Sequence, residues 1–448
     1  MCSLLNKNNF NVYECMNIFN FAWRQMKNIF YFSCFLLSAP AVSASALPSL
    51  LKDALLHDPS VMEARAESVS ARSRVEQARS AHWPVVTATG SKLLSQNHRY
   101  YYDYDSEDFQ PGIRGDLNLF ASGAIEADVR RSESEAEYYH YKVEQTGEET
   151  IRSFLSLYLD ALREKKSIEV LERSLARHDA ILNDLNTISI HDPGRESEFV
   201  QAEARRLMVR QQINARSRTL ETTLGKLSTW TSRPVTVADI DDPFPGMTEA
   251  RLLADFAKTP QENNPAWLAG RADIESKKAA LDAQERGRYP RVDLTGSVTR
   301  DDRQIGVNLT WDLFNRNARY GVSEKAAQIA AATGRQDAIV RMIDETGRLA
   351  LITVRQSRVE RETLRRQEQA SARVVDFYRL QFRVARKTLI ELLNAENELY
   401  SVGLSRVQAE DQILHGMLDY LYSRGMLLKW SGLSVADEDN KRAEGQVR

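Results

Sequence analysis

An internal duplication constrains this chain more than any other feature of its sequence. Residues 57–91 match residues 263–297 at a constant offset and without a gap. Two shorter blocks recur later in the same order, the first of them a Leu-Phe dipeptide. Since self-similarity at a fixed spacing is the signature of a repeated structural unit, we predict that the chain folds as two copies of one unit.

The duplication sets the predicted domain boundaries. Between the two copies lies a short Pro-rich stretch of the kind that ends elements and links domains. The predicted parts are an N-terminal extension with a signal peptide (1–46), a first repeat (47–241), a linker (242–246), a second repeat (247–433) and a polar tail (434–448).

The N-terminal segment has the composition of an export signal. A Met-Lys pair at Met26 precedes an apolar run from Ile29 to Leu37, and a small-residue Ala-Ser-Ala motif ends at Ala46. This order is typical of a secretory signal peptide. The run is shorter than the roughly 20 apolar residues that a membrane-spanning helix needs. We therefore expect cleavage after Ala46 and translation from Met26.

Charge and side-chain chemistry exclude several classes of function. Lys+Arg 60 against Asp+Glu 62 leaves a formal net charge of -2, which gives no electrostatic reason to expect nucleic acid as a partner. All three cysteines lie in the first 34 residues, and the seven histidines lack metal-binding spacing. No Gly-rich phosphate loop or nucleophile elbow is found. We predict that the chain is not an enzyme and uses no cofactor and no metal.

A strand hairpin is predicted in each repeat. In the second repeat apolar residues alternate with polar ones from Val292 to Thr299, and again from Ile305 to Leu313 after a short polar turn. The first repeat shows the same pattern more weakly from Val86 to Leu93 and from Ile113 to Leu119. Strands of this length with one apolar and one polar face suit a membrane barrel that has lipid outside and water inside. A soluble sheet would instead need a layer covering its apolar face.

Most of the remaining sequence predicts long helices. Ser122 to about Ile190 and Ala318 to about Ala385 are rich in Ala, Glu, Arg, Gln and Leu. At 1.5 Å per residue such helices reach about 100 Å. Their apolar residues follow heptad-like steps, so we expect the helices to pack side by side.

Four strands cannot close a barrel, and open edges are not tolerated in lipid, so several chains must share one barrel.

These features predict the fold class. It is mainly α with a small β part: a trimeric membrane β-barrel, with four strands per chain and twelve in total, from which the long helices continue. Three chains are the smallest assembly that leaves a usable lumen.

Three motifs carry a resemblance to a known family. The run VARKTLIELLNAENELY ends at Tyr400, WDLFNR begins at Trp311, and YRLQF begins at Tyr378. They resemble the TolC family of outer-membrane factors, and are most similar to type I secretion components that export large adhesins. The resemblance implies a homotrimer whose outer-membrane β-barrel, in contact with the outer-membrane lipid of a Gram-negative bacterium, is continued by a long periplasmic α-helical barrel. It also implies two partners, a periplasmic membrane-fusion adaptor and an inner-membrane transporter of the ABC type.

Two alternative functions stay open at this point. One is the outer-membrane channel of a multidrug efflux pump, which has the same architecture. The other is a periplasmic coiled-coil adaptor, which shares the export signal and the long helices but has no need of strands with a lipid-facing side.

The resemblance also implies a gate at the ends of the long helices. The positions that match the family's pore constriction are Glu391 and Asn394, which share one helix face. The family usually has acids at both, so Asn394 is a departure. The matching tip latch, a set of contacts that holds the closed state, is Ser197 and Glu198 against Phe382 and Lys387, with Lys387–Glu198 as an ion pair. Glu391 and Glu198 could also be plain solvated charges, and Asn394 a register-setting residue.

The adaptor should dock where the long helices turn. The resemblance places the first turn at Asp192, Pro193 and Gly194, and the second at Val384, Ala385 and Arg386.

Overall fold

The computed structural model describes residues 47–92, 109–189, 195–256, 261–300 and 302–434. The predicted signal peptide, residues 93–108 of the first predicted hairpin and the docking residues Asp192, Pro193 and Gly194 lie outside these ranges.

Each predicted repeat contains the same order of elements, two helices, two strands and two longer helices, and the second repeat ends with one short helix more. The first has α1 (Leu47–His57), α2 (Pro59–Arg79), β1 (Val85–Ser91), β2 (Gln110–Phe120), α3 (Ala124–Ser189) and α4 (Glu196–Ser228). The second has α5 (Glu249–Phe256), α6 (Pro265–Arg286), β3 (Arg291–Thr299), β4 (Arg303–Thr310), α7 (Arg316–Arg383), α8 (Leu389–Ser423) and the short α9 (Leu427–Ser431). The order agrees with two copies of one unit, and the exact domain boundaries stay a prediction.

Helix starts show the duplication at the level of single side chains. Asp58 caps α2 and Asn264 caps α6, each accepting hydrogen bonds from backbone N–H groups of the first turn. A proline follows each cap, where its missing N–H costs nothing. The same local chemistry therefore begins the helix before each hairpin.

The long helices have the predicted extent. α3 has 66 residues and α7 has 68, so each is about 100 Å long if straight. Each begins within a few residues of the strand before it, which places its far end well away from the sheet. None of the helices within the described ranges is long and apolar enough to cross a membrane.

The four strands form one antiparallel sheet in the order β1-β2-β3-β4. Directly paired residues share a face. Ile113 pairs with Val298, Leu117 pairs with Leu294, and Leu294 pairs with Val307. The same register places Val86, Val292, Ile305 and Leu309 on this face. The alternation therefore produces one continuous apolar face, as predicted.

The opposite face carries a ladder of polar side chains. Asn118 donates a hydrogen bond to Asp293 across the β2–β3 pair at 2.7 Å, and Asn308 donates to Thr295 across the β3–β4 pair at 3.1 Å.

The apolar face is left uncovered, and Ile305 is 81% exposed. The helices extend the sheet and do not cover it, so the alternative of a soluble covered sheet is wrong for the described part of the chain.

The last strand is shorter than predicted. We expected it to reach Leu313, but β4 ends at Thr310, opposite Arg291. The next residue of the partner strand would be Pro290, which has no N–H to donate to the ladder. Trp311 instead donates its indole N–H to the carbonyl of Arg288 at 3.2 Å.

Candidate functional site at the far end of the helices

Two helical hairpins, α3–α4 and α7–α8, meet at the end of the molecule opposite the sheet. A small apolar cluster, here called the tip cluster, joins all four helices. Its buried members are Ile181, Leu185, Ala202, Phe382, Leu389, Leu392 and Leu393. Apolar burial is the main favourable term in packing, so this cluster is the principal contact between the hairpins near their turns.

The turn between α7 and α8 carries the second predicted docking segment. Val384, Ala385 and Arg386 are all exposed. Ala385 has a φ of 56°, and the N–H of Arg386 bonds back to the carbonyl of Gln381 at 2.8 Å. This is the left-handed helix end that usually takes glycine. The three side chains therefore stand on a fixed, solvent-facing turn.

Glu391, the predicted constriction residue, is held by its neighbours in sequence. Its carboxylate accepts the backbone N–H and the hydroxyl of Thr388 at 3.0 and 2.9 Å, which forms a capping box at the start of α8. Lys387 donates to the same carboxylate at 2.6 Å. The bond from Lys387, with those from Thr388, lowers the pKa of Glu391 to about 2. The side chain is therefore anionic at any physiological pH.

Asn394, the second predicted constriction residue, is exposed on α8 one turn beyond Glu391. Residues three apart on a helix are neighbours on its surface. The structure therefore brings an anionic and a neutral polar side chain to one outward face of α8.

The predicted latch pair Lys387–Glu198 is not formed within the protomer. Lys387 pairs with Glu391 and lies 4.5 Å from the ring of Tyr378. Glu198 pairs with Arg195 on its own helix end at 3.6 Å. Ser197 is exposed, and Phe382 is a buried member of the tip cluster. Pairs three or four residues apart need no long-range ordering, which favours these local partners.

A different ionic contact, missed from the sequence, joins the hairpins near their turns. Asp184 on α3 accepts hydrogen bonds from Arg379 at 2.9 Å and from Arg383 at 2.8 Å, both on α7. Burial alone would raise the pKa of Asp184, but the bonds from Arg383 and Arg379 outweigh it and lower that pKa. Nothing local in the sequence indicates this contact, because the partners lie in different repeats.

A buried carboxylate was also missed. Glu396 on α8 is 2% exposed, and its nearest cation is Arg177 on α3, with Nε 3.7 Å from Oε2. Burial raises the pKa of Glu396 to about 7. A signal for it does exist: Glu396 lies between Leu392 and Leu399 at steps of four and three, which is a position of the apolar seam.

Comparison with known sequences gives a family match. The sequence profile described as outer membrane efflux protein matches residues 50–186 and 258–416, which together are well over half of the chain. A search of curated protein sequences found no significant match.

Comparison with solved structures gives the same fold. The outer membrane protein VceC of Vibrio cholerae superposes with a TM-score of 0.74 at 15% identity, covering 85% of this chain and 96% of VceC. The outer-membrane channel OprN matches with a TM-score of 0.71 at 19% identity, covering 85% and 90%. The CmeC outer membrane channel of Campylobacter jejuni matches with 0.70 at 15% identity, covering 89% and 88%. At these identities the likeness shows the fold alone, and it confirms the predicted fold class.

Proposed function

Since the chain belongs to the outer membrane efflux protein family, we propose that three copies of it form the exit duct of a tripartite export machine, one that serves type I protein secretion. Family membership makes it an outer-membrane channel protein with a periplasmic helical part, and not an enzyme. The alternative of a periplasmic coiled-coil adaptor is therefore wrong.

The sheet is the observation that carries the proposal. Within the described residues β1 bonds only to β2, and β4 only to β3, so both edges are open. An open edge and a bare apolar face are costly in water, and an open edge is not tolerated in lipid. Three copies supply four strands each and can close one barrel. Its apolar face then meets lipid, and its polar ladder lines the lumen.

An exposed helix face supports the same assembly. α7 exposes large apolar side chains at heptad-like steps over its C-terminal half, although heptad stripes normally face another helix. A neighbouring copy would cover this stripe in a ring of helices. Its members are Leu349, Ile352, Val359, Val374, Phe377 and Leu380.

The gate belongs to the same proposal. Glu391 and Asn394 of each copy would line the constriction, which gives a ring of three carboxylates and three amides. Ser197, Glu198 and Lys387 would exchange their local contacts for contacts between copies, and Phe382 would hold the hairpins together. The exposed turn from Val384 to Arg386, with the turn at 192–194, would receive the periplasmic adaptor, itself coupled to an ABC-type transporter.

Three motifs in combination favour protein secretion over drug efflux. WDLFNR at Trp311, YRLQF at Tyr378 and the Glu-Asn-Glu-Leu-Tyr segment at Glu396 resemble secretion components more than other members of the family. The efflux alternative is favoured by the description of the matched family. Both functions use the same duct, so the difference lies in the cargo and in the inner-membrane partner.

Reconstitution and deletion together test the proposal. Purified protein in planar lipid bilayers should give stepwise single-channel currents, and absence of any conductance would contradict the duct. Deletion should abolish surface display of a large secreted protein while leaving drug sensitivity unchanged. The reverse phenotype would assign the duct to efflux. If deletion changes neither surface display nor drug sensitivity, both export functions are contradicted.

A further inference from the structure

Glu396 is a buried ionisable group that the proposed duct does not use. It lies on α8, five residues beyond Glu391, where α8 packs against α3. Among the described residues its nearest cation, Arg177, is too distant for a hydrogen bond, and its Oε2 has no hydrogen-bond partner. A buried carboxylate without such a partner disfavours the packing that encloses it.

We propose that Glu396 is a proton-sensitive residue that couples the pH around the helical end to the contact between the α3–α4 and α7–α8 hairpins. When the carboxyl is protonated, α8 packs against α3 without an uncompensated charge. When it is ionised, separation of the hairpins is favoured because water then reaches the carboxylate. The inference rests on the proposed function, since opening of the duct requires the two hairpins to move relative to each other.

The surroundings set the direction of the effect. Burial raises the pKa of Glu396 to about 7, against an opposing effect from the arginines. In separated hairpins the hydrated side chain has an ordinary pKa near 4.3. Protonation therefore favours the packed hairpins, whose stability relative to the separated hairpins increases as the pH falls through about 7.

Other charged groups face the same region and could titrate there. α3 contributes Arg177, and α7 contributes Arg379 and Asp376. His178 on α3 is buried, and burial lowers its pKa. Arg206 on α4 is paired with Asp179. The remaining charged neighbours on α8 itself are Glu391, held by Lys387, and the exposed Glu398.

The magnitude follows from proton linkage. With a pKa of about 7 when packed and about 4.3 when hydrated, acidification from pH 8 to pH 6 raises the ratio of packed to separated hairpins about tenfold in each protomer. Gln has the shape of Glu but cannot ionise, so Glu396→Gln should stay packed at both pH values. Glu398→Gln, on the same helix but exposed, is the matched control.

Channel recordings and a distance measurement test the proposal. In bilayers the open fraction of the wild-type channel and of Glu398→Gln should fall from pH 8 to pH 6, and Glu396→Gln should show the low value at both. If Glu396→Gln keeps the wild-type pH dependence, another group such as His178 carries it and the proposal is overturned. Absence of wild-type conductance at both pH values contradicts the proposed duct instead.

The distance measurement does not depend on conductance. No cysteine follows Cys34, so spin labels can be placed at Thr187 on α3 and Ile390 on α8, both exposed. Trimers assembled with an excess of cysteine-free protomers isolate the label pairs that lie within one protomer. The distance should lengthen at pH 8 in the wild type but not in Glu396→Gln. An identical distance at both pH values in the wild type overturns the proposal.

Discussion

Phe382 offers the sharpest test of how the two hairpins are held together. It lies in the last turn of α7, is 2% exposed, and packs in the tip cluster among aliphatic side chains of three other helices. Replacing a fully buried Phe by Ala costs about 3–5 kcal/mol, because the lost transfer free energy adds to the cost of the cavity. Phe382→Leu keeps most of the volume and should cost less than about 1.5 kcal/mol.

A third substitution separates apolar packing from hydrogen bonding at this position. Around Phe382 the cluster is apolar, so the added hydroxyl of Phe382→Tyr should cost about 1–3 kcal/mol as a buried group without a partner. If Phe382→Tyr instead stabilises the protein, a hydroxyl acceptor lies within reach and the apolar description of the site is wrong.

Thermal unfolding and limited trypsin digestion together measure the series. Arg386 and Lys387 lie at the α7–α8 turn directly after Phe382, so loosening of the hairpins should speed cleavage there. We expect both readouts to rank Ala as most affected, then Tyr, then Leu. Unchanged unfolding and unchanged cleavage in Phe382→Ala would refute the role of the tip cluster.

Three further predictions concern single side chains. The pKa of Glu391 is lowered to about 2, so its carboxylate stays charged above that pH. Block of the purified channel by polyvalent cations should therefore persist at pH 5 and be lost in Glu391→Ala. Block that survives the substitution would contradict the assignment of Glu391 to the constriction. Ala385→Gly relieves the left-handed backbone and should stabilise the turn by about 1 kcal/mol in thermal unfolding, whereas destabilisation would contradict that conformation. Glu148 accepts the N–H groups of Leu427 and Leu428, and burial raises its pKa to about 7. The stability that Glu148 contributes is therefore lost as the pH rises through 7. From pH 8 to pH 6 the free energy of unfolding of the wild type should rise by about 1.4 kcal/mol relative to that of Glu148→Gln. A difference between the two proteins that does not change with pH would contradict this prediction.

The sequence predicted the elements well because their periods are local. Alternation at steps of two determined both faces of the hairpin in the second repeat, and local composition predicted the extent of α3 and α7. The end of β4 was misplaced because Trp311 continues the alternation, whereas the strand stops for lack of a partner beside Pro290. That reason lies in the neighbouring strand and not in the local pattern.

The site was less accessible to sequence reasoning. Lys387 was assigned to the distant Glu198, although Glu391 stands four residues away, a spacing that forms ion pairs on one helix. The contact of Asp184 with Arg379 and Arg383 joins residues from different repeats, and only the packing of α3 beside α7 brings them together. Glu396 was visible in principle as a charged residue in an apolar seam.

Cross-linking of neighbouring sheet edges tests the shared barrel most directly. Within one protomer β1 and β4 are separated by two strands, about 14 Å at the usual strand spacing, so cysteines on them cannot form a disulfide inside one chain. A cysteine at Thr87 can be paired in turn with one at Gln304, Gly306 or Asn308, all on the polar face. For at least one pair, oxidation of outer-membrane preparations should give monomers, dimers and trimers and nothing larger. Monomers alone for every pair, or a ladder that continues beyond the trimer, would contradict a barrel closed by three copies.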